Sequence, residues 1–299
     1  GDLPESWYQD AYAASPDSIQ VISVSLGFQV LATLDPSARP LTSAFLDDGD
    51  SALWAGPSRV NVVSGELSGD PGPGFLLDLG SGRDVAFGGG GGDDLVDGGD
   101  GNDRMFGDAG EDAMIGGQGR DTVRGGDDDD RIEGAGQADR LFGEAGGDQL
   151  YGGGGDDVFG GAGRDLMFGE GGKDAINGDA GDDRIFGGGK RDVLSGGDGD
   201  DVVRGDGGGD LLAISNGDDK LFGDGGADSF VIGAGLTDGR TVIRDFSDED
   251  LLGFEDGVFF ERKRDFQDFA FETRKGVVLA VEGAEVLIRN VELDEIGPS

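Results

Sequence analysis

The chain contains no cysteine and no histidine, and it has few cations. Without cysteine there is no disulfide framework and no thiol nucleophile. Without histidine there is no Ser-His-Asp triad and no histidine-ligated zinc. The 23 lysines and arginines stand against 63 acids, a formal net charge of −40 that would repel nucleic acid. We therefore expect a non-enzymatic protein, although these absences leave a glycosidase-like carboxylate pair open.

Long hydrophobic runs are also absent. The longest candidate, Val21 to Leu34, is interrupted by polar residues, so we expect no transmembrane segment. Residues 1–8 show neither the basic start nor the apolar core typical of a signal peptide. Proline is missing between Pro73 and Pro298, a stretch that is rich in glycine.

Within that stretch an aspartate recurs with a period of nine residues, and an apolar residue always follows two positions later. The aspartates are Asp84, Asp94, Asp103, Asp112, Asp121, Asp130, Asp139, Asp148, Asp156, Asp165, Asp174, Asp183, Asp192, Asp201, Asp210, Asp219 and Asp228. The apolar residues are Ala86, Val96, Met105, Met114, Val123, Ile132, Leu141, Leu150, Val158, Met167, Ile176, Ile185, Leu194, Val203, Leu212, Leu221 and Phe230.

One unit, Gly98–Phe106, shows how such a repeat can fold. Its glycines allow a tight loop with positive φ angles, and a short strand follows. Alternation along the strand buries Met105 and turns Arg104 and Phe106 outward. Two units would make one turn of a flattened coil, with two stacked parallel sheets and two columns of loops. The repeat predicts an all-β parallel β-roll over residues 81–232.

Burial alone cannot stabilise this coil. One unit buries one apolar side chain, worth about 1.5–3 kcal/mol, whereas ordering nine residues costs about 1–2 kcal/mol each. A bound metal must supply the difference. Calcium fits, because it takes six to eight oxygen ligands, and each loop offers a carboxylate and backbone carbonyls. Transition metals do not fit a chain without histidine or cysteine.

The repeat resembles the RTX (repeats-in-toxin) family of hemolysin-type calcium-binding proteins, which Gram-negative bacteria export by type I secretion. The best matches are Gly98–Asp103, Gly116–Asp121, Gly160–Asp165 and Gly196–Asp201. The resemblance implies a right-handed roll, multiple bound calcium ions, an extracellular or cell-surface location and the type I secretion machinery as a partner. It also implies that the loop aspartates and the carbonyls of the first four loop positions bind calcium.

Carried over loop by loop, the resemblance gives a set of candidate calcium ligands. These are Asp94, Gly98, Gly99, Asp100, Gly101, Asp103, Gly107, Ala109, Asp112, Gly116, Gly117, Gln118, Gly119, Asp121, Asp130, Asp139, Asp148, Gly152, Gly153, Asp156, Gly160, Gly161, Ala162, Gly163, Asp165, Gly169, Gly171, Asp174, Gly178, Asp183, Asp192, Gly196, Gly197, Asp198, Gly199, Asp201, Gly205, Gly207, Asp210, Asp219, Gly223, Gly225 and Asp228.

Some loops depart from the repeat. Asp128, Gln137 and Lys190 replace the fourth-position glycine, and Ile214–Asn216 replaces the glycine pair before Asp219. Lys190 and its neighbour Arg191 also place positive charge beside a proposed cation site. We expect weaker or missing calcium in these loops and a local distortion of the coil.

The flanks differ from the repeat. For residues 1–80 we predict a β-rich segment of unknown role, with strands within Ile19–Leu34 and Arg59–Ser64. Residues 233–299 predict a C-terminal β cap, because a solenoid needs its last turn covered. The resemblance implies that this flank also carries the secretion signal. Val242–Phe246, followed by Asp250–Phe254, resembles the family's strand, Asp-Phe turn and second strand, and closing strands are predicted at Val277–Val281 and Glu285–Ile288.

Outward-facing aromatic residues follow several buried positions. They are Phe87, Phe106, Phe142, Tyr151, Phe159, Phe168, Phe186 and Phe222. At the strand spacing of about 4.8 Å, Tyr151, Phe168 and Phe186 should stack on one face and Phe142 and Phe159 on the other. Such ladders stabilise short strands, or they dock a partner.

Two functions remain open on the sequence. The first is a secreted, non-enzymatic calcium-binding protein that serves as a cell-surface, matrix or adhesive component, with self-assembly or a surface partner. The alternative is the calcium-dependent folding and export module of a larger secreted enzyme or toxin.

Overall fold

The computed structural model describes residues 23–24, 44–46, 52–54, 62–65, 76–88, 92–233, 236, 239–254, 270–273, 276–281 and 284–289. Every helix or strand element in these residues is a β-strand, and none of them contains a helix that could cross a membrane. The all-β parallel roll predicted from the repeat is confirmed.

The strands are short and follow one another in a regular order. The first nine are β1 (Ser23–Val24), β2 (Ala44–Leu46), β3 (Ala52–Trp54), β4 (Val62–Gly65), β5 (Leu76–Asp78), β6 (Ser81–Gly82), β7 (Val85–Phe87), β8 (Leu95–Asp97) and β9 (Asp100–Gly101). The next ten are β10 (Arg104–Ala109), β11 (Ala113–Gly117), β12 (Thr122–Asp127), β13 (Arg131–Ala135), β14 (Arg140–Ala145), β15 (Gln149–Gly153), β16 (Asp157–Ala162), β17 (Leu166–Glu170), β18 (Ala175–Ala180) and β19 (Arg184–Gly189). The last ten are β20 (Val193–Asp198), β21 (Val202–Gly207), β22 (Leu211–Ile214), β23 (Lys220–Phe222), β24 (Ser229–Ile232), β25 (Arg240–Ile243), β26 (Leu251–Phe254), β27 (Ala270–Thr273), β28 (Gly276–Val281) and β29 (Ala284–Arg289).

Successive repeat units alternate between two large sheets. One sheet has 13 strands in the order β1-β2-β4-β7-β10-β12-β14-β16-β18-β20-β22-β24-β26. The other has 14 strands in the order β27-β28-β29-β25-β23-β21-β19-β17-β15-β13-β11-β8-β5-β3. Pairing within the repeat is parallel, and equivalent residues of neighbouring turns are partners, for example Met105 with Val123. Each turn of the coil therefore contributes one strand to each sheet.

The core is a double column of apolar side chains between the sheets. All seventeen residues predicted to point inward, from Ala86 to Phe230, are at most 2% exposed. Their flanking residues lie on the outer faces, as at Arg104 and Phe106 on either side of Met105. Because each unit contributes a single inward side chain, the core is only one residue wide per strand.

Irregular spacing in the repeat is absorbed by the loops. Asp148 and Asp156 are eight residues apart, yet Gln149 still pairs with Leu166 and Tyr151 with Phe168 on the flanking strands. The loop Gly152–Gly155 is one residue shorter instead. Strand register is therefore set by burial of the apolar residue and not by a constant chain length.

The distortion expected at the substituted loops does not occur at Asp128 or Lys190. Both residues adopt left-handed φ angles, 78° and 88°, in place of the glycine. The amide of Lys190 still donates to the carbonyl of Gly207 in the next turn, at 2.7 Å. Gln137 is also left-handed, with φ 112°, next to the shortened loop. At Lys190 the cross-turn hydrogen bond holds a conformation that costs a non-glycine residue about 1–2 kcal/mol. Beside Asp128 the pairs Gly126–Glu144 and Asp127–Ala145 keep the register of the neighbouring turns.

The aromatic ladders are present on both faces. Ring centroids lie 5.1 Å apart for Tyr151–Phe168, 4.9 Å for Phe168–Phe186 and 5.0 Å for Phe142–Phe159, with nearly parallel planes. Stacking of these rings, predicted from the strand spacing, is confirmed.

Arginines extend the ladders at positions that the sequence analysis did not single out. Arg124 lies 4.3 Å from the centroid of Phe142 and pairs with Glu144, and Arg204 lies 5.0 Å from Phe222 and pairs with Asp224. The outward-facing position of the ladders is therefore occupied either by an aromatic ring or by a guanidinium group that stacks on the ring of a neighbouring turn.

The C-terminal strands continue the coil and then turn back on it. β25 and β26 extend the two sheets in parallel, and β29 pairs in parallel with β25. β27, β28 and β29 form an antiparallel meander. Inside this end, Phe246 is buried against Phe230, with centroids 5.8 Å apart. The predicted strands of the flank are confirmed, whereas its last residues, 290–299, lie outside the described residues.

At the other end, strands β1 to β5 add to the same two sheets. β4 pairs in parallel with β7, and β5 pairs in parallel with β8. β1 lies within the predicted strand region Ile19–Leu34, and β4 overlaps the one at Arg59–Ser64.

Candidate metal centre

The repeat aspartates are buried, although a carboxylate is strongly solvated in water. All seventeen, from Asp84 to Asp228, are at most 2% exposed. Each stands at the end of a loop, immediately before a strand whose inward residue lies two positions further on. The short strand therefore fixes the aspartate side chain against the loop of a neighbouring turn, and a buried carboxylate of this kind requires partners.

From Asp103 to Asp228, one carboxylate oxygen of each repeat aspartate has a partner on the backbone. The amide of Asp103 donates to Oδ1 of Asp121 at 2.8 Å, and the amide of Asp121 donates to Oδ1 of Asp139 at 2.8 Å. The same bond joins each repeat aspartate from Asp84 to Asp210 to the equivalent repeat aspartate one turn later. It runs in two parallel series, one along each column of loops; we call these the aspartate ladders.

The second oxygen, Oδ2, is buried without a hydrogen-bond partner in most rungs. These rungs are Asp103, Asp112, Asp121, Asp130, Asp139, Asp148, Asp156, Asp165, Asp174, Asp183, Asp192, Asp201 and Asp210. A buried, ionised oxygen without a partner is costly, since desolvation removes its water and nothing in the chain replaces it. The repetition of this arrangement indicates a missing positive charge at each rung.

Glycine leaves space beside that oxygen. A Cβ atom on Gly98 would lie 3.0 Å from Oδ2 of Asp103 and 2.6 Å from the carbonyl oxygen of Gly116. A Cβ atom on Gly116 would likewise lie 2.8 Å from Oδ2 of Asp121 and 2.9 Å from the carbonyl oxygen of Gly134. A carboxylate oxygen of one loop and a carbonyl oxygen of the next turn therefore converge on one cradle that only glycine keeps open.

The cradle fits a hard cation better than any other group. Both converging atoms are oxygens that can only accept, and they belong to different turns. Among the described residues no three acidic side chains come together as a metal-binding cluster, so a cation here would be held by one carboxylate and by backbone carbonyls. Calcium accepts such a mixed set of oxygen ligands, whereas magnesium demands a tighter octahedron and retains its waters.

Burial changes the acidity of the aspartate ladders. Desolvation, reinforced by the neighbouring rungs, raises the pKa of Asp103 and of Asp112 to about 7 and that of Asp130 to about 8. In each case the hydrogen bond from the backbone amide opposes the rise. Without a cation, the folded roll therefore prefers protonated aspartates, and the proton and the cation compete for the same oxygen.

Two loops differ electrostatically from the others. Oδ2 of Asp219, in the loop that lacks the glycine pair, accepts a hydrogen bond from the hydroxyl of Thr241 at 3.4 Å. At Asp192, burial raises the pKa of the carboxyl while the positive charge of Lys190 lowers it. In these two loops, where we expect weaker calcium binding, a hydroxyl or an ammonium group already provides part of the stabilisation that a cation would give to the carboxylate.

The C-terminal flank supplies the last rungs, which the sequence analysis missed. Oδ1 of Asp250 accepts the amide of Asp228 at 2.8 Å and so ends one aspartate ladder. Asp245 accepts the amides of Gly223 and Asp224 at 3.0 Å and 2.9 Å, at the end of the same column. The sequence signal was available, since both aspartates stand just outside the last repeat, but their spacing departs from nine.

The candidate ligands occupy three kinds of position. First-position glycines such as Gly98 and Gly116 line the cradle beside Oδ2. Second- and fourth-position glycines such as Gly117 and Gly119 have positive φ, and a side chain there would overlap a carbonyl of the preceding turn. Third-position side chains such as Gln118 are exposed, so that only their backbone faces the neighbouring loops.

The two columns of loops carry very different charge. We call the column leading to Asp94, Asp112, Asp130, Asp148, Asp165, Asp183, Asp201 and Asp219 the acidic edge, and the other column the cation-bearing edge. Besides its ladder, the acidic edge has one cation, Arg164, and the acids Asp93, Asp108, Glu111, Asp127, Asp128, Asp129, Glu144, Asp179, Asp182, Asp198, Asp200 and Asp218. The cation-bearing edge has Arg83, Arg120, Lys173, Lys190 and Arg191 with the acids Asp100, Glu170, Asp206 and Asp224.

Comparison with known proteins identifies the repeat. A family model described as the RTX calcium-binding nonapeptide repeat (4 copies) matches residues 88–123, 124–159, 155–185, 177–212 and 215–235. No curated protein sequence matched the chain. Among solved structures, the extracellular lipase LipA from Serratia marcescens is similar over 60% of this chain, with 20% identity and a TM-score of 0.25. The similar region spans 39% of that lipase.

Substitution of one ladder aspartate should distinguish its role in the cross-turn hydrogen bond from its role in binding the cation. Asp165→Asn keeps an oxygen for the amide of Asp148 but replaces the partnerless Oδ2, so we expect folding to require more calcium. Asp165→Ala should require still more, because it also loses a hydrogen bond worth about 0.5–1.5 kcal/mol. Asp192→Asn, beside Lys190, should shift the calcium midpoint less. Calcium titrations followed by circular dichroism measure all three, and equal shifts at Asp165 and Asp192 would contradict the assignment.

Protonation of the ladder aspartates at low pH should partly replace the bound cation. Since the folded-state pKa of the ladder aspartates is raised, their contribution to stability is largest at low pH and is lost as pH rises through about 7. In a chelator, lowering the pH from about 8 to about 5 should therefore increase β-sheet circular dichroism. This range stays above the isoelectric point near 4.1. Loss of β structure on acidification would contradict the buried, partnerless Oδ2.

Proposed function

Because residues 88–235 belong to the family of RTX calcium-binding nonapeptide repeats, we propose that the chain is a secreted protein that folds as its loops bind several calcium ions. Once folded, it serves as a non-enzymatic structural component of a cell surface, a matrix or an adhesive layer. The observation that carries the proposal is the pair of aspartate ladders. In most rungs one carboxylate oxygen accepts an amide of the preceding turn, and the other is buried without a partner.

Calcium would be held between neighbouring turns by the chain's own oxygens. The ligands we assign are Oδ2 of the ladder aspartates together with backbone carbonyls of the loops, such as that of Gly116 beside Asp103. A bound divalent ion would neutralise two of the negative charges that otherwise oppose stacking of the turns. Binding only to the folded state then stabilises that state by mass action.

The calcium requirement suits a protein that folds outside the cell. Loops of carboxylates and carbonyls resemble extracellular calcium modules, with dissociation constants of about 10⁻⁴–10⁻³ M. At cytosolic calcium the chain would stay unfolded and could pass through a type I export channel of a Gram-negative bacterium. Folding on external calcium would then oppose its return.

We assign capping and export to the flank of residues 233–299. Asp245 and Asp250 accept amides from the last repeat turn, and Phe246 covers the end of the core beside Phe230. These contacts support a cap that completes the final rungs. An export signal in the same flank would leave the cell first, and the cap would be the first part of the chain to meet external calcium.

A non-enzymatic role agrees with the distribution of the acids. The chain has neither histidine nor cysteine to act as base or nucleophile. The repeat acids lie in the aspartate ladders, in the exposed loops or on the outer faces of strands, as Glu133 does. A long, regular coil with exposed columns of side chains is better suited to a repeated contact than to a single reaction.

The proposal is tested by following circular dichroism and hydrodynamic radius in chelator, in millimolar calcium and in millimolar magnesium. We expect an expanded chain in chelator, a compact β spectrum in calcium and little change in magnesium. A chain without residues 233–299 should need more calcium to fold and should not be secreted by cells that carry a type I transporter.

A β spectrum that persists in excess chelator at neutral pH would contradict calcium-dependent folding. Normal secretion of the truncated chain would contradict the role of the flank. The two outcomes are independent, because folding is measured on purified protein and secretion in cells.

A further inference from the structure

The charge difference between the two edges of the roll is large and follows the topology. The acidic edge carries twelve exposed acids against a single cation, Arg164, whereas the cation-bearing edge carries five cations against four acids. Both edges are built from the same repeat, so calcium binding as such does not require the difference. We propose that calcium-loaded copies of this chain associate edge to edge, with the acidic edge of one copy against the cation-bearing edge of the next.

Without calcium, both edges are negative. Counting the buried aspartates, the cation-bearing edge has a formal charge of −8, from five cations against four loop acids and nine ladder aspartates. The acidic edge has −19, from one cation against twelve loop acids and eight ladder aspartates. Two copies would therefore repel at either edge, and no lateral contact is favoured before the metal binds.

With calcium, the two edges acquire opposite signs. This step rests on the proposed function, because it assumes that the ladder aspartates bind the ions. Each ion adds two positive charges, so five ions among nine aspartates already make the cation-bearing edge positive. Eight ions, one for every ladder aspartate of the acidic edge, still leave that edge at −3. Calcium thus converts two repelling surfaces into complementary ones.

The arrangement of individual charges fits side-by-side contact of parallel coils. Arg120 and Asp129 occupy the same position of successive units, nine residues apart, and so lie on opposite edges of one turn. Lys173 and Asp182, and Arg191 and Asp200, are related in the same way. Copies placed side by side at equal height would bring each of these three cations level with an acid of the neighbour.

The one cation of the acidic edge also fits this arrangement. Arg164 lies level with Gly155, in the shortened loop Gly152–Gly155, which has no charged residue. Its charge would therefore meet no opposing cation. Because the two contacting edges are different surfaces, the contact is heterologous, and it generates open rows instead of a closed dimer. The partner is a second copy of this chain.

The first test is sedimentation velocity on the full chain, with circular dichroism of the same samples. In calcium at low salt we expect folded protein that sediments as assemblies larger than a monomer. High salt should return it to folded monomers, since exposed charges are screened. Folded protein that stays monomeric in calcium at low salt overturns this inference but not the proposed function. Absence of folding in calcium overturns the proposed function as well.

A charge swap tests the pairing of the edges. One variant, Arg120→Glu with Lys173→Glu, reverses the cation-bearing edge, and the other, Asp127→Lys with Asp179→Lys, reverses the acidic edge in the loops that lie level with Arg120 and Lys173. All four side chains are exposed. Asp129 is avoided because its carboxylate accepts the amide of Gly147 in the next turn. Arg120→Lys with Lys173→Arg is the matched control, and it should assemble like the unmodified chain.

Each reversed variant should fold in calcium and sediment as a monomer, with at least a tenfold loss of association. An equimolar mixture of the two should assemble again, because each variant's reversed edge now matches the other's. Assembly of either variant alone, or a mixture that stays monomeric although both variants fold, overturns the proposal. If a variant fails to fold, the salt dependence of the unmodified chain decides the outcome.

Discussion

The bond from the amide of one repeat aspartate to Oδ1 of the equivalent aspartate one turn later holds this coil in register. It recurs along both columns of loops, for example from Asp112 to Asp130 and from Asp165 to Asp183 at 2.8 Å. Because Oδ1 is used in this way, Oδ2 is turned into the loop and buried. The same aspartate therefore does two things: it links neighbouring turns, and it leaves one negative oxygen for a cation or a proton.

Other features of the repeat follow from that constraint. The cradle beside Oδ2 stays open only if the first loop residue has no side chain, which explains glycine at Gly98 and Gly116. Left-handed φ angles are needed where turns stack most closely, yet Asp128 and Lys190 adopt them without breaking the coil. Side chains that face away from the ladder are free to vary, and the two edges differ in charge as a result.

The sequence predicts the roll well because one apolar residue per unit must be buried at a fixed phase. Met105, Leu150 and Ile185 all lie where the period places them, and the stacking of Tyr151 on Phe168 follows from the strand spacing. The loop aspartates could be named as ligands, but their hydrogen-bonding role could not, since it depends on a contact with a residue eighteen positions away. Asp245 and Asp250 were missed as the last rungs because the chain reaches them by a longer path. The stacking of Arg124 on Phe142 and of Arg204 on Phe222 could not be predicted, because it depends on which outward-facing side chains of neighbouring turns come into contact.

The central claim is that a calcium ion occupies the space beside Oδ2 of the ladder aspartates. Crystals grown in calcium, with anomalous differences measured near the calcium absorption edge, test it directly. The account predicts peaks along both columns of loops, each about 2.3–2.6 Å from Oδ2 of an aspartate such as Asp121 and from a backbone carbonyl of a neighbouring turn. Peaks confined to the exposed acids of the acidic edge, with Oδ2 of the ladder left without a metal ligand, would contradict it.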